Sequence, residues 1–492
     1  MKKYIFNPII LNLNEVEEFD INDFYLKITD SVQNKGRIAS YFVYEICDVK
    51  KIMAVVVFDD TNEFSVIQSR INKRLERMWE KIPQLFNFER EIAEQFPYTF
   101  VDEDFQPLRF HKSFDGKKAS FPPGNMKFYK IQSDEIHQVA VGPVHAGIIE
   151  PGHFRFQCYG EKVLYLEISL GYQHRGIEKS LIDGPRKNTF YKIQTTAGDT
   201  TIGHTLAYLM NIENLAGIKI DNNSMLKRMI ALELERIANH VGDLGGLATD
   251  IGFLPTASYC GRIRGEFLNM TADICGNRFG RSLMSFGGER VNTLIFEKIL
   301  KKIEMLKKNL FGAVEMLWQT PSVMSRLENT GILPKSIALE LGIVGTAARA
   351  CNINNDIRKN IPFYHYKKYF IPVNIQSLNN DVLARGLIRW EETKNSIDMI
   401  SNMINEIAES SKNHTLTRLA KESVSISFTE GFRGEICHTV ITDDKGSFLR
   451  YKIVDPSFHN WQALAYVMRN EDISDFPLCN KSFNLSYCGF DL

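Results

Sequence analysis

The first 115 residues have a hydrophobic pattern of their own. Two β-rich apolar runs, Ile38–Cys47 and Lys51–Phe58, are separated by a short charged turn, which predicts adjacent antiparallel strands. The pattern then changes, and Lys73–Lys81 and Phe88–Glu94 are predicted to be helices. Strands grouped before helices are typical of a small α+β domain.

A stretch rich in Lys, Ser, Gly and Pro follows this region. It contains Lys117–Gly124, where paired prolines precede a glycine and neither a helix nor a strand can continue. We therefore predict a first domain over 1–115, a linker over 116–138 and a second domain over 139–492.

The second domain opens with strands and then becomes mostly helical. Phe154–Ile168 reads as two strands joined by a turn at its central Gly-Glu, which predicts a hairpin. Apolar residues then recur at helical spacing in Met225–Val241, Leu294–Leu317 and Val382–Ile407, which indicates long helices packed as a central bundle. The predicted fold class is α+β, with a small sheet at the start of a mostly helical second domain.

Composition restricts the function only broadly. The 492 residues contain 59 Lys plus Arg against 59 Asp plus Glu, so the balance of charge gives no reason to expect nucleic acid as a partner. No apolar run reaches the roughly 20 residues that a membrane-spanning helix needs, and the start at Met1 lacks a signal-peptide pattern. The eight scattered cysteines include no Cys-x-x-Cys and are interpreted as buried thiols in a reducing compartment. We expect a cytoplasmic protein whose link to the inner membrane comes through partner subunits.

Several motifs in a fixed order carry a resemblance that covers nearly the whole chain. The second domain resembles the large subunit of energy-converting, membrane-associated nickel-iron hydrogenases and of formate hydrogenlyase, and it is similar to the homologous quinone-site subunit of complex I. In addition, Ile82–Glu91 resembles the 30-kDa-type subunit of complex I, which some relatives carry fused ahead of the large subunit. The motifs of the second domain are Gly142–His145, Gly171–Lys179, Ala197–Thr200, Glu233–His240, Asn277–Arg281, Gly342–Arg349, Glu430–Glu435, Asp455–Trp461 and Ser482–Gly489.

The resemblance also shows what this chain has lost. In the hydrogenase relatives two Cys-x-x-Cys pairs hold nickel, because soft thiolates suit that metal. Alignment places Ala197, Thr200, Ser486 and Gly489 at those four positions, and none of them supplies a thiolate. The position of the family's proton-gate glutamate holds a glutamine, Gln194, and the chain ends three residues after Gly489, which agrees with a protein that never loads nickel.

A quinone site of the complex I type also lacks its best donor. The resemblance implies a histidine in the first hairpin, which His153 matches, and a tyrosine whose aligned position is Gly198. Tyr191 and Tyr487 are the nearby alternatives, and Cys488 lies next to the last ligand position.

The motifs place polar and charged residues around the vacated cavity. Arg433 stands where the relatives have an arginine over the metal, and a guanidinium there can donate hydrogen bonds to a bound ligand. The resemblance makes Arg433, His153, His174, Arg175 and His204 the candidate site residues. The wider set adds Glu150, His240, Asp243, Arg349, Asp356 and His438.

Two functions remain open. In the first, the chain is an oxidoreductase subunit that binds a quinone or another small redox acceptor and receives electrons from an iron-sulfur small subunit. In the second, it is a non-catalytic subunit that transmits conformational or protonic change to membrane-embedded antiporter-like subunits, so that electron transfer is coupled to ion translocation. In both, the chain itself binds no cofactor, the iron-sulfur clusters belong to a partner, and a nickel-iron site is not expected.

Overall fold

The computed structural model describes residues 1–97, 99–101, 105–109, 113–114, 126–145, 149–289, 293–373, 375, 378–408 and 418–492. It combines antiparallel sheets with helices, which confirms the predicted α+β class. Within these residues, none of the helices combines the length and apolar character that a membrane span requires.

The N-terminal region is a five-stranded sheet with two helices. Its strands follow the order β1-β6-β5-β4, and β3 runs parallel to β6 on the same sheet. The predicted strand pair is confirmed, since β4 and β5 are antiparallel and Tyr41 lies opposite Ala54. The elements are β1 (Lys3–Tyr4), β2 (Ile9–Asn12), β3 (Glu17–Phe19), α1 (Ile21–Gln33), β4 (Arg37–Ile46), β5 (Val49–Phe58), β6 (Glu63–Arg70) and α2 (Phe86–Gln95).

One predicted helix of this region is wrong. Lys73–Lys81 is irregular, because several of its backbone N–H groups bond to residues outside the segment. The Leu75 N–H donates to the Thr99 carbonyl (2.8 Å), and the Glu89 carboxylate accepts the N–H groups of Met78 (2.9 Å) and Trp79 (3.2 Å). The other predicted helix, Phe88–Glu94, is confirmed within α2.

The N-terminal region shares its core with the rest of the molecule. β2 does not join the first sheet. It pairs with β10 in a second sheet of order β12-β11-β10-β2, whose other strands are β10 (Ser423–Glu430), β11 (Glu435–Thr442) and β12 (Phe448–Val454). Across the junction, the rings of Phe88 and Phe458 lie 4.9 Å apart, and Arg37 pairs with Glu435 at 2.7 Å. The division into 1–115 and 139–492 stays a prediction; residues 116–125 of the predicted linker lie outside the described residues.

The remaining elements form a third sheet and a helical body. The predicted hairpin is confirmed as β8 and β9, to which β7 adds on the other side of β8. The predicted long helices are confirmed as α6, α8 and α14, and α6 packs against both α7 and α14. The elements are β7 (Ile136–Val141), β8 (His153–Tyr159), β9 (Lys162–Ser169), α3 (Ile177–Leu181), α4 (Thr189–Ile193), α5 (Thr201–Leu215), α6 (Asn222–Asp250), α7 (Leu254–Cys275), α8 (Leu294–Gln319), α9 (Pro321–Leu327), α10 (Lys335–Glu340), α11 (Gly345–Ala350), α12 (Ile357–Asn360), α13 (Tyr366–Tyr369), α14 (Val382–Ile404), α15 (Pro456–Val467), α16 (Phe476–Phe483) and α17 (Tyr487–Phe490).

Helix α5 positions the site. It lies on β10 and β11, with the Ser427 hydroxyl donating to the Ala207 carbonyl at 2.7 Å. The segment with two of the degenerate ligand positions leads directly into its first turn, so α5 carries His204 from that segment to the face of the second sheet.

Candidate functional site

The two degenerate ligand segments meet in the interior. Ala197 and Thr200 precede α5, whereas Ser486 caps α17 and Gly489 lies within that helix, and all four are buried. Arg433 donates to Thr200 on the first segment and to the Asn484 carbonyl just before Ser486, which places the segments side by side. Burial raises the pKa of the Cys488 thiol to about 11, so this thiol stays protonated at neutral pH.

Arg433 bridges the two segments, but most of its donors are already used. Its terminal nitrogens donate to both carboxylate oxygens of Asp199 (2.7 and 2.6 Å) and to the Thr200 hydroxyl (3.2 Å). Its Nε donates to the Asn484 carbonyl. Burial alone would raise the pKa of Asp199, but the guanidinium holds it below its ordinary value. Arg433, the predicted ligand donor, is therefore one half of a neutral ion pair whose carboxylate is partly exposed.

His204 belongs to a buried polar chain behind the site. Its Nε2 lies 3.0 Å from Asp455 Oδ2, and its Nδ1 lies 3.0 Å from His438 Nε2. His438 Nδ1 in turn lies 2.9 Å from the Tyr451 hydroxyl. The structure thus joins the predicted His204 and His438 to two residues that the sequence analysis did not select.

Asp455 occupies the space beside the fourth ligand position. A Cβ placed on Gly489 would lie 2.7 Å from Cγ of Asp455 and 2.8 Å from Oδ2, so a side chain at 489 cannot form without moving the carboxylate. Burial would raise the pKa of Asp455, but the hydrogen bond from His204 and the charge of Arg433 hold it below its ordinary value. Alanine, threonine, serine and glycine offer no thiolate, and the last position has no room, so these residues do not fit a nickel-iron group.

Glu150 and Gly152, which lie between β7 and β8, pack against α17 and form the other side of the site. The Tyr487 ring lies on Gly152, and its hydroxyl is 3.4 Å from His145 Nε2. Nearby, Glu150 accepts the N–H of Cys488 at 3.1 Å. His153 bonds the Gly142 carbonyl through Nδ1 (3.3 Å), and its buried Nε2 has no hydrogen-bond partner among the described residues.

The geometry separates the two alternative tyrosines. The side chain of Tyr191 is largely exposed, at 62%, whereas Tyr487 is only 4% exposed and lies between two degenerate ligand positions. Burial raises the pKa of Tyr487 to about 12, so its hydroxyl stays a hydrogen-bond donor at neutral pH.

His174 and Arg175 bind backbone around the site. His174 Nδ1 lies 3.3 Å from the Asp491 carbonyl, and the exposed Arg175 donates to the carbonyls of Thr195 (2.6 Å) and Thr196 (2.8 Å). Arg175 therefore holds the segment that leads to Ala197. Gln194 is buried, and its Nε2 has no partner within the described part of the chain.

Three other members of the predicted polar set lie in a separate ion network between helices. His240 Nε2 contacts Glu392 at 2.9 Å, and the same carboxylate pairs with Arg349 at 2.7 Å. Asp356 pairs with Arg358 at 2.7 Å. Asp243 lies between this network and the site, because it accepts from Asn484 Nδ2 at 2.6 Å and lies 3.4 Å from Arg389.

Asp199, Asp455 and Tyr451 were not among the site residues predicted from the sequence. Two of these had a usable signal: Asp199 lies inside Ala197–Thr200 and Asp455 begins Asp455–Trp461, both of them motifs of the resemblance. A carboxylate inside a degenerate ligand motif can replace the missing anionic ligands as the partner of an arginine. Tyr451 had no such signal, because only the pairing of β11 with β12 brings it to His438.

Comparison with known proteins supports the same relationship. Residues 250–425 and 414–491 match the family of the respiratory-chain NADH dehydrogenase 49 Kd subunit. Residues 250–491 belong to this family. Large subunits of membrane-bound hydrogenases are homologous to it, so the resemblance of the second domain is confirmed. The resemblance of Ile82–Glu91 to the 30-kDa-type subunit stays a prediction.

The relatives include a hydrogenase component and a subunit of an NADH-quinone oxidoreductase. Hydrogenase-4 component G of Escherichia coli is 26% identical over 471 residues, which cover 92% of this chain and 80% of the relative. NADH-quinone oxidoreductase subunit 4 of Thermus thermophilus is 26% identical over 370 residues, which cover 69% of this chain and 90% of the relative. A chain in the structure of the membrane-bound sulfane sulfur reductase, an archaeal respiratory membrane complex, shares the fold with a TM-score of 0.68 at 20% identity over 74% of this chain and 100% of that chain.

Proposed function

We propose that this chain is the acceptor-binding subunit of a membrane-associated oxidoreductase complex and carries no nickel-iron group. The observation that carries the proposal is the Tyr487 hydroxyl beside His145, set between two former ligand positions. A protonated phenol and an imidazole next to each other suit the hydrogen bonding of an acceptor's carbonyl oxygen.

The charge of the site favours a neutral acceptor. Asp199 cancels the charge of Arg433, so this guanidinium is not free to attract an anion. A quinone or another small neutral carbonyl compound fits these conditions. His153 is placed differently: its ring packs against Phe128 at 5.2 Å, whereas the next residue of β8, Phe154, contacts Tyr487.

Electrons would come from an iron-sulfur small subunit packed against the face around Arg175. Membrane-embedded subunits would complete the complex and couple electron transfer to ion translocation. Support comes from the relatives, which are subunits of membrane-bound hydrogenases and of NADH-quinone oxidoreductases. The chain would then lie at the membrane surface through these partners.

One observation favours the alternative, a non-catalytic coupling subunit. The ion pair of Arg433 with Asp199, together with Thr200 and Asn484, uses most of the guanidinium donors internally. A site closed by its own side chains can transmit movement between segments without binding a ligand.

Tyr487→Phe in the whole complex tests the choice. If Tyr487 donates to the acceptor, turnover with the native electron donor should fall by roughly ten- to a hundredfold, the effect of losing about 1.5 to 3 kcal/mol of hydrogen bonding. Assembly should be unchanged, because phenylalanine keeps the ring contact with Gly152. Tyr191→Phe is the matched control and should behave as wild type, since Tyr191 is exposed. Wild-type turnover in Tyr487→Phe would eliminate the acceptor site and leave the coupling role.

A further inference from the structure

Four buried side chains form one continuous hydrogen-bonded chain that ends at the site. Asp455, His204, His438 and Tyr451 are joined by contacts of 3.0, 3.0 and 2.9 Å. They come from the cap of α15, from α5, from β11 and from β12, and each is at most 1% exposed. The chain therefore depends on four elements that meet only in the folded molecule.

The residues at the two ends of this hydrogen-bonded series, Asp455 and Tyr451, fix the direction in which its hydrogen bonds are donated. An ionised carboxylate can only accept hydrogen bonds, so His204 must donate to Asp455 from Nε2. His204 Nδ1 is then an acceptor for His438 Nε2–H, and His438 Nδ1 accepts the Tyr451 hydroxyl proton. Burial raises the pKa of Tyr451, which keeps that end a donor. Every donor in the chain points toward Asp455.

Asp455, which accepts the last hydrogen bond of the series, lies against the site. The Asp455 carboxylate takes the space beside Gly489, where a fourth ligand side chain would begin. It is also close enough to Arg433 for the guanidinium charge to affect its protonation. Among the described residues, the other charged and titratable groups that face the four side chains include Glu178, Tyr208, Cys437 and His459.

We propose that Asp455 and His204 take up one proton when the acceptor in this site is reduced, and that His438 and Tyr451 are positioning residues that fix the direction of the pair. The inference rests on the proposed function. Two electrons from the partner's iron-sulfur cluster make the acceptor oxygen negative, and a negative charge beside a carboxylate raises its affinity for a proton. Asp455 then binds one proton from solvent water, which reaches the site beside the partly exposed Asp199, while His204 keeps its Nε2–H bond. The proton passes from Asp455 to the acceptor oxygen, which restores the carboxylate and leaves the two-electron-reduced acceptor with one added proton.

The hydrogen-bonded series predicts different effects for substitutions at Asp455 and at Tyr451. Asp455→Asn keeps a side chain that can cap α15 through Ser457 but cannot bind the proton. Turnover of the whole complex should fall by roughly a hundredfold, while the KM for the acceptor stays unchanged. Tyr451→Phe leaves His438 free to reverse its tautomer, so turnover should fall less and its pH profile should shift.

Tyr208→Phe is the matched control. Tyr208 is a buried tyrosine whose ring centre lies 6.3 Å from that of Tyr451, but it is not a link in the chain. The control should keep the wild-type rate and pH profile. If turnover and its pH profile changed equally in Tyr451→Phe and Tyr208→Phe, the effect would come from packing alone, and the proposal would be overturned.

The test separates this inference from the proposed function. If Tyr487→Phe slows turnover but Asp455→Asn and Tyr451→Phe match wild type in rate and pH profile, the acceptor site stands and proton uptake by the chain is refuted. If Tyr487→Phe matches wild type, the acceptor site is eliminated, and proton uptake for an acceptor reduced in this site is refuted with it, whatever the effect of Asp455→Asn.

Discussion

Two buried polar regions of this molecule are built from the same residue types but differ in how their charges are balanced. Between α6 and α14, Glu392 is shared by Arg349, Arg236 and His240, and all four side chains are nearly inaccessible to solvent. At the former ligand positions, Arg433 faces a carboxylate whose side chain is 33% exposed. A buried charge that has several buried partners stabilises the fold. An ion pair that is partly exposed at a site can be rearranged when a ligand binds.

The shared carboxylate gives the largest expected effect. Glu392→Gln removes the common partner of two buried arginines and should lower the free energy of unfolding by about 3 to 5 kcal/mol. Denaturant unfolding of the full-length chain measures the loss. Glu391→Gln on the same helix is the control, because Glu391 pairs only with the partly exposed Lys394 among the described residues and should cost less than about 1 kcal/mol. Similar losses in both variants would contradict the structural role given to the network.

The same network predicts a dependence of stability on pH. Burial lowers the pKa of His240 from 6.5 to about 4, despite the hydrogen bond to Glu392. Between these values the unfolded chain binds a proton that the folded chain does not, so stability falls as the pH falls from about 6.5 to 4, by up to about 3 kcal/mol.

Urea unfolding at several pH values measures this slope. His240→Asn should make it shallower, whereas His137→Asn, at an exposed histidine of β7, should leave it unchanged. An unaltered slope in His240→Asn would show that His240 is not the group that titrates.

At the vacated site, the expected effect is steric and smaller. Gly489→Ala would place a Cβ 2.7 Å from Asp455, which should cost about 1 to 3 kcal/mol of stability. Gly198→Ala is the matched control on the other degenerate segment, because no described atom lies within 4 Å of a Cβ placed there. Thermal unfolding of both variants makes the comparison. Equal midpoints would mean that Asp455 does not fill the fourth ligand position.

The local sequence determined several of the longest regular elements. Alternating apolar runs located β4 and β5, and helical spacing located α6, α8 and α14, because these elements bury faces with a fixed period. The segment Lys73–Lys81 had the same helical character, yet Glu89 and Thr99 take its backbone hydrogen bonds. Propensity is a weak term when a tertiary partner competes for the same N–H groups.

For the site, the sequence determined which residues were present and only the tertiary structure decided their roles. The motifs named Arg433, His204 and the four positions without thiolates, since those depend on order along the chain alone. That Asp199 neutralises Arg433, that Asp455 occupies the space beside Gly489 and that Tyr487 rather than Tyr191 is buried at the site all depend on contacts between distant segments. Charge pairing and steric exclusion act over a few ångströms, and only the fold brings those atoms together.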